Sequence, residues 1–292
     1  MGKAGAGKRS EKRPLLQTGI GKALFGLLVL AVACAGGYWF WQSQQPDTFY
    51  YRNMEMTALD GVERNTYIPQ AFVRGENGWI SYPDALQGVD VSVYQGEIDW
   101  QAVADAGVDF AIIRVGYRGY SQGAIQPDTN FQKNMEGALK AGLDVGVYFF
   151  SQATTVREAE EEADYVLEAI RNYPVTYPVV FDWEFIDGQQ ARTDEIEGER
   201  MTECAKTFCE LVRAGGYTPM VYFNQDQGYL TYDLTQLDQW PFWLAEYDQI
   251  PGFYYHFDFW QYTHTGTVAG IQGEVDWNLD LRPTALPEEP EE

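Results

Sequence analysis

Residues 177–184 read Tyr177-Pro178-Val179-Val180-Phe181-Asp182-Trp183-Glu184, and the pattern is typical of a buried β-strand. Side chains alternate across a strand, so Asp182 and Glu184 should point to one face and Trp183 to the other. Two carboxyl groups on one face of a strand that is otherwise buried are costly unless they have partners or a task.

The Asp182–Glu184 pair has two interpretations. In the first, it is a strand-end pair that simply faces water. In the second, the two carboxyl groups push their pKa values apart, so that one stays protonated while the other ionises. Acid-catalysed cleavage of a glycosidic bond uses such a pair. The rest of the chain favours this second interpretation.

A regular alternation of strand and helix patterns begins at Gly88. Glycines at 107, 142 and 215–216 stand where the helices should end. This order predicts an α/β fold, an irregular TIM-like (β/α) barrel with eight strands. Because the later connections are short, we expect the second half to be irregular. The predicted strands are 89–94, 110–115, 145–150, 179–183, 219–223, 242–245, 257–262 and 275–279, and the predicted helices are 100–106, 130–141, 156–172 and 200–214.

Carboxyl groups recur at the ends of the predicted strands, where barrel enzymes build their active sites. Asp90 lies on the first strand and Asp276 begins the eighth, so a closed barrel should bring them together. Flat amphipathic rings suit a sugar polymer, because rings cover C–H faces while acids and amides bind hydroxyls. For each aromatic alone, core packing is the alternative. The candidate substrate-binding residues are Asp276, Tyr148, Tyr222, Trp243, Glu246, Trp260, Gln261 and Tyr94, and Tyr117, Tyr247 and Tyr262 are placed similarly.

Composition limits the possible partners. The chain has 292 residues, 45% of them hydrophobic, which suits one barrel-sized domain with appendages. Residues 1–41 hold six of the 20 basic residues and one acid, so the remainder is more acidic than the net charge of −23 indicates. That charge argues against nucleic acid as a partner. Cys204 and Cys209 lie five apart on a predicted helix, badly placed for a disulfide, and we expect free thiols and no metal site.

The N-terminal region predicts a membrane anchor. Residues 23–41 carry no charge and are long enough to cross a bilayer, with a basic flank that should stay in the cytoplasm. The alternatives are a cleaved signal peptide, with Ala31-Val32-Ala33 as its site, and a lipoprotein modified at Cys34. Around residues 75–78 we expect a β-hairpin. The predicted organisation is a basic cytoplasmic tail (1–22), a transmembrane helix (23–41), an extracellular stalk and packing segment (42–87), the barrel (88–283) and an acidic tail (284–292).

Five motifs are similar, in the same order, to those of one enzyme family. They are Gly-Val-Asp-Val-Ser-Val-Tyr-Gln-Gly (88–96) with Ile-Asp-Trp (98–100), Phe-Ala-Ile-Ile-Arg-Val-Gly (110–116), Gly-Val-Tyr-Phe-Phe-Ser (146–151), Asp-Trp-Glu (182–184), and Trp-Gln-Tyr-Thr (260–263) with Gly-Glu-Val-Asp-Trp-Asn (273–278). The chain thus resembles the glycoside hydrolases of family 25, the Chalaropsis-type lysozymes, over about residues 86–282.

The resemblance implies an N-acetylmuramidase that hydrolyses the β-1,4 bond between N-acetylmuramic acid and N-acetylglucosamine in peptidoglycan. It implies that Glu184 is the proton donor, that Asp182 is its partner, and that Asp90 and Asp276 are further acids of the cleft. No metal or organic cofactor is implied. The residues themselves agree about Glu184, because negative neighbours would raise its pKa and keep it protonated.

The nucleophile is a separate question. Asp182 and Glu184 approach the sugar from one side, so the substrate's own 2-acetamido group, oriented by Asp182, is the better candidate. The family is mostly secreted or carried by phage, whereas this chain should be a membrane-bound monomer that remodels the wall locally. A chitinase-like glycosidase and a non-catalytic glycan-binding barrel are the rival functions.

Overall fold

The computed structural model describes residues 19–43, 46–76, 78–247 and 249–282. The acidic tail (284–292), Asn77 of the expected hairpin and most of the basic tail lie outside these residues. The chain divides into two compact units, Met1–Ala58 and Leu59–Glu292. The first contains helix α1 (Gly19–Ser43) and an antiparallel pair of strands, β1 (Thr48–Tyr51) and β2 (Met54–Thr57).

Helix α1 is long and apolar enough to be a candidate membrane span. Its window Ala23–Phe40 has a mean hydropathy of 2.0 and none of it is buried. At 1.5 Å per residue, this length matches the hydrocarbon thickness of a bilayer. A signal sequence near the N-terminus meets the same criteria of length and composition.

The second unit begins with a segment that packs on the barrel. Strands β3 (Val73–Arg74) and β4 (Ile80–Ser81) form the expected hairpin. The buried ring of Phe72 lies edge-on to Trp260, with centroids 5.2 Å apart. Upstream, the Tyr67 hydroxyl donates to the carbonyl of Phe257 at 2.8 Å. Residues 59–85 therefore share the apolar core of this unit.

Eight strands form a closed sheet. The pairing of β5 with β6 closes the ring, and the short β7 (Ile125–Pro127) adds to β6 as an antiparallel extension. The eight strands are β5 (Leu86–Val91), β6 (Phe110–Arg118), β8 (Asp144–Ser151), β9 (Val179–Trp183), β10 (Pro219–Asn224), β11 (Phe242–Ala245), β12 (Phe259–Gly266) and β13 (Val275–Asp280).

The interior of the barrel changes from apolar to polar along its axis. Because alternate residues of a strand share a face, Val180 and Asp182 point into the same interior, as do Phe110 and Ile112 with Arg114. The lower layers form one apolar cluster, which also contains Tyr177, Met220, Tyr222, Trp243, Ala245 and Phe259. The polar members of the same faces come next along each strand, at the upper rim.

One strand runs against the others. β13 pairs antiparallel with both β12 and β5, whereas the remaining neighbours in the ring are parallel. The start of β13 therefore lies at the rim where the parallel strands end. This reversal places Asp276, the second residue of β13, opposite Asp90 near the end of β5. A fully parallel barrel would have put Asp276 at the opposite rim.

Helices cover the first half of the barrel and thin out in the second, as the connection lengths predict. The helices of this unit are α2 (Trp100–Asp105), α3 (Phe131–Ala141), α4 (Val156–Ile170), α5 (Gly198–Ala214) and the short α6 (Gln225–Leu230). α3 ends at Gly142, whose φ of +86° suits a residue without a Cβ. In α5, Cys204 and Cys209 are buried free thiols.

Several strand boundaries differ from those expected, among them those of the first and seventh strands. The first strand was expected to run to residue 94, but β5 ends at Val91 and a 3-10 turn follows over Val93–Gln95. Ser92 causes the turn, because its hydroxyl accepts from the Tyr94 N–H while the Gln95 side chain accepts from the Ser92 N–H. The seventh strand begins later and extends to Gly266, where it pairs with β13.

Candidate active site

A cleft of about 240 Å³ opens at the rim where the parallel strands end. Four carboxyl groups meet in it, from β5, from β9 and its following residue, and from β13. These are Asp90, Asp182, Glu184 and Asp276. Asp182 and Glu184 both face the cleft, while Trp183 points away and donates its indole N–H to the carbonyl of Ala153 at 3.2 Å. The alternation expected from the sequence is thus present.

Asp90 is hydrogen-bonded by two side-chain amides. Its Oδ2 accepts from the side-chain amides of Gln261 and Asn278, each at 2.8 Å. Burial raises the pKa of Asp90 to about 6, and these two hydrogen bonds oppose the rise. Above that pH, Asp90 carries a negative charge that is held in place by two amide groups.

Asp182 and Glu184 both favour the protonated state. Burial raises the pKa of Glu184 to about 7, with contributions from the negative charges of Asp90 and Asp187. Burial and the charge of Glu184 raise the pKa of Asp182 well above its ordinary value. Asp182 Oδ1 is buried and has no hydrogen-bond partner among the described residues, which penalises its charged form. The pair therefore retains a transferable proton near neutral pH.

Asp276 completes the group from the opposite strand. Burial, followed by the charges of Asp90 and Glu184, raises its pKa to about 9. It faces Asp90 across the β13–β5 pairing, where both side chains point into the cleft. At neutral pH Asp276 is therefore a neutral donor and acceptor beside an ionised Asp90.

Polar aromatic residues form one wall of the cleft and are tied together by Gln261. Tyr222 and Tyr247 both donate to Gln261 Oε1, at 2.8 and 2.6 Å. Because Gln261 in turn donates to Asp90, the two phenols and the carboxylate form one network. Trp243 extends the wall, and its indole N–H donates to Asn278 Oδ1 at 2.9 Å. Tyr148 also lines the cleft.

Arg114 brings a positive charge to this acidic cleft. It is largely buried, and its Nε donates to Asp128 Oδ2 at 2.8 Å. Its guanidinium lies over the rings of Tyr94 and Tyr117, 5.0 and 5.5 Å from their centroids. The charge of Arg114 opposes the rise in the pKa of Asp182. Tyr94 is 83% exposed at the mouth of the cleft, so one ring face is free to cover a sugar.

Two expected substrate-binding residues do not line the cleft. Glu246 turns back onto its own loop, where its carboxylate accepts from the Gly252 N–H at 2.9 Å and from Gln249. Trp260 points outwards, because it alternates with the inward-facing Gln261, and its indole N–H donates to the carbonyl of Glu246. The structure therefore does not place these two side chains in the cleft with the other candidates. The other candidates, Asp276, Tyr148, Tyr222, Trp243, Gln261 and Tyr94, line the cleft.

Several cleft residues were not singled out from the sequence. Arg114 had a usable signal, since an arginine within the apolar run Phe110–Val115 is costly unless it has a partner or a task. Asn278 and Asp187, which act on the cleft from outside its lining, had none. Asn278 donates to Asp90 across 188 residues of chain, and the effect of Asp187 on Glu184 depends on how the loop after β9 folds. Others are Ser92, Gln95 and Phe150. Among the described residues, no group of three or more His, Cys, Asp or Glu side chains is arranged to hold a metal ion.

Comparison with known proteins finds consistent relatives. The family model described as glycosyl hydrolases family 25 matches residues 89–271. Lysozyme M1 of Streptomyces globisporus is 29% identical over 209 residues, covering 66% of this chain and 67% of that protein. The autolytic lysozyme of Clostridium acetobutylicum is 26% identical, covering 65% and 54%. A family 25 glycosyl hydrolase structure from Bacillus anthracis has a TM-score of 0.57 at 26% identity, covering 67% and 88%.

Proposed function

The chain belongs to family 25 of the glycosyl hydrolases, and from this premise we propose that it is a lysozyme acting on peptidoglycan. The bond cleaved is the β-1,4 linkage between N-acetylmuramic acid and N-acetylglucosamine. Two relatives carry the name lysozyme, although the chain spans only about half the length of the second. We therefore rest the proposal on the cleft as well as on the relatives.

The observation that carries the proposal is the burial of Glu184 in a cleft with three further acids, which raises its pKa. General acid catalysis works best when the pKa of the acid lies near the working pH, and that of Glu184 is about 7. Asp90, with a pKa of about 6, ionises before Glu184 does. Between these values the cleft holds a proton for the leaving oxygen and a negative charge for the developing oxocarbenium ion.

The remaining carboxyl groups have different tasks in this proposal. Asp182 on β9 and Glu184 directly after it approach the sugar from one side. We assign the attack on the anomeric carbon to the substrate's own 2-acetamido group, oriented by Asp182, as in substrate-assisted glycosidases. Asp276 binds substrate in its neutral form. Tyr94, Tyr148, Tyr222 and Trp243 provide the ring surfaces that pack on the glycan.

The membrane location is also a proposal. The apolar helix α1 precedes the barrel unit and its expected basic flank lies on the N-terminal side. An anchored enzyme of this orientation would keep its barrel outside the cell, against the wall. Its task would then be local remodelling of peptidoglycan, with the barrel acting as a monomer.

The test of the activity is the product. Purified peptidoglycan is digested, and the soluble fragments are analysed by mass spectrometry for their reducing ends. We expect reducing N-acetylmuramic acid, at a rate that falls as the pH rises through about 7, where Glu184 loses its proton. Glu184→Gln preserves the shape and removes the proton, so turnover should fall about 10²–10⁴-fold or more while the fold survives.

Two outcomes would contradict the assignment. Wild-type turnover in Glu184→Gln would remove the role of Glu184 as proton donor. Fragments that end in reducing N-acetylglucosamine would show cleavage of the other glycosidic bond. Incubation with chitin provides the matched substrate control, because chitin contains the N-acetyl groups but no lactyl ether.

A further inference from the structure

The end of β9 is held by two buried glutamines, one from each side. Gln152, which follows β8, donates its Nε2 to the carbonyl of Glu184 at 2.6 Å. Gln227, in α6 after β10, donates its Nε2 to the carbonyl of Trp183. Since β9 lies between β8 and β10, the two amides reach it from its two neighbours. We call this pair of side chains the amide clamp.

Both the nitrogen and the oxygen of the Gln152 side-chain amide are hydrogen-bonded. Its Nε2 also donates to the carbonyl of Ser151 at 3.0 Å, and its Oε1 accepts from the Thr193 hydroxyl at 2.7 Å. With carbonyl oxygens on one side and a hydroxyl donor on the other, only one orientation of the amide satisfies every partner. Gln152 is completely buried, so water does not compete for these bonds.

Gln227 is fixed in a comparable way. It belongs to the capping box at the start of α6, where its backbone N–H donates to Asn224 Oδ1 at 3.0 Å. In return, its side-chain Oε1 accepts from the Asn224 N–H at 3.1 Å. The helix cap thus aims the remaining Nε2 at β9. Both arms of the amide clamp are rigid because each glutamine is held at its other end.

The Gln152 arm also holds the loop after β9. Arg192, the neighbour of Thr193, donates Nη1 to the carbonyl of Gln152 at 3.1 Å and Nη2 to Glu158 of α4 at 2.6 Å. Residues 192–193 therefore tie the loop back to the barrel. The loop carries Asp187, whose charge contributes to the raised pKa of Glu184.

We propose that Gln152, Gln227 and Thr193 are positioning residues that fix the direction of Glu184 and hold the loop that carries Asp187. The proposal rests on the proposed role of Glu184 as the proton donor. Glu184 directly follows β9, so its backbone is not held by strand pairing on its far side. A small displacement of a proton donor lowers the rate of the reaction. The amide clamp removes that freedom by bonding the backbone carbonyls of both Trp183 and Glu184.

A pH readout separates positioning from simple support of the fold. If the loop shifts, Asp187 moves away and the pKa of Glu184 falls, which moves the alkaline limb of the activity profile to lower pH. The titratable and charged groups that share the cleft with Glu184 or interact with it are Asp182, Asp90, Asp276, Asp187, Arg114, Tyr148, Tyr222, Tyr232 and Tyr247. Of these, Asp187 alone lies on the loop that Thr193 secures.

The experiment compares Thr193→Val and Thr193→Ser in the full-length chain, with soluble glycan strands as the substrate. Valine has nearly the shape of threonine but cannot donate to Gln152, whereas serine can. We expect Thr193→Val to lower kcat roughly tenfold, to leave KM within about twofold, and to move the alkaline limb to lower pH. Thr193→Ser should restore both kcat and the limb. Gln152→Met, which removes the amide itself, should reproduce the Thr193→Val profile more strongly.

Thr202→Val is the matched control for lost stability. Thr202 is also completely buried and its hydroxyl is also hydrogen-bonded, in this case to main-chain groups of Gly198 and Asp233, but it lies on α5 outside the cleft. It should retain kcat and the pH profile at a similar loss in Tm. If Gln152→Met does not fold, Thr193→Val still decides the question.

The proposal is overturned if Thr193→Val keeps the wild-type kcat and alkaline limb, if only its KM changes, or if Thr202→Val loses kcat equally. Glu184→Gln, assayed in parallel, distinguishes failure of the positioning role from failure of the proposed function. If Glu184→Gln is inactive and Thr193→Val is normal, only the positioning role is ruled out. If Glu184→Gln is active, the proposed function itself is ruled out.

Discussion

The four carboxyl groups of the cleft have different surroundings, and these set their charges. Two amide donors favour the ionised form of Asp90, whereas Asp182 has an oxygen without a partner among the described residues. The pKa values of Glu184 and Asp276 are raised mainly by burial and further by neighbouring negative charges. At a single pH near neutrality, the same chemical group therefore occurs in ionised and neutral forms, which suits the proposed roles of acid, charge and neutral ligand.

The raised pKa values predict that the protein loses stability as the pH rises. The folded protein keeps protons on Asp90, Glu184 and Asp276 up to pH values of about 6, 7 and 9, whereas the unfolded chain releases them near pH 4. Because the folded state binds more protons over this range, the free energy of unfolding falls with rising pH. Thermal unfolding in non-ionic detergent should give a higher Tm at pH 5 than at pH 9.

Asp276→Asn isolates the contribution of the cleft from that of the overall negative charge. The amide stays neutral, so the fall in Tm between pH 7 and 9 should become shallower. Asp105→Asn, at an exposed position on α2, removes the same formal charge and should leave the slope unchanged. A Tm that rises towards pH 9 in the wild type would contradict this account.

At the scale of elements, two strands set the geometry of the cleft. β9 supplies Asp182 directly and aims Glu184, while the reversed β13 returns Asp276 to the same rim. The sheet closes where β5 meets β6, and here the chain approaches itself closely. Gly88 stands opposite Phe110 in the β5–β6 register, and a Cβ at Gly88 would lie 2.2 Å from the Phe110 ring.

Gly88→Ala is therefore expected to weaken the closure of the barrel. The added methyl overlaps a ring that is packed in the apolar cluster beneath the cleft, so either the ring or the strand must move. Overpacking of this kind costs about 1–3 kcal/mol or more. Denaturant unfolding measures it. Gly119→Ala is the control, because its Cβ would meet only a carbonyl at 3.6 Å, and equal losses in both variants would contradict the explanation.

At the scale of the whole molecule, charge is unevenly distributed: residues 23–41 carry none, whereas the chain after them is strongly acidic. The window Ala23–Phe40 is apolar and none of it is buried. An exposed apolar helix of this length is unfavourable in water, which favours the proposed insertion into a bilayer. The acidic remainder suits an aqueous location and argues against adhesion to nucleic acid.

The proposed membrane anchor predicts a specific fractionation. Full-length protein should stay in membranes after high-salt and carbonate washes, because these remove proteins held by charge alone. External protease should cleave the barrel unit in intact cells from which the wall has been removed. A chain that begins at residue 42 should be recovered in the soluble fraction. Recovery of a mature form that starts at or after Cys34 would replace the anchor with a leader or a lipoprotein.

The amino-acid sequence by itself determined the features that depend on neighbouring residues. Alternation with a period of two placed Asp182 and Glu184 on one face, and the order of strand and helix patterns predicted eight strands with an irregular second half. The motifs also indicated the family, which the family match confirms. These features follow from local geometry, which a strand or helix imposes wherever it lies in the fold.

Only the tertiary structure decided which side chains meet. It reversed β13, turned Glu246 and Trp260 away from the cleft, and joined Asp90 to Asn278 across 188 residues of chain. The charges of the four acids were decided there too, because burial and donated hydrogen bonds come from strands that are remote in sequence. A pKa depends on the whole environment of a group, and that environment exists only when the barrel is closed.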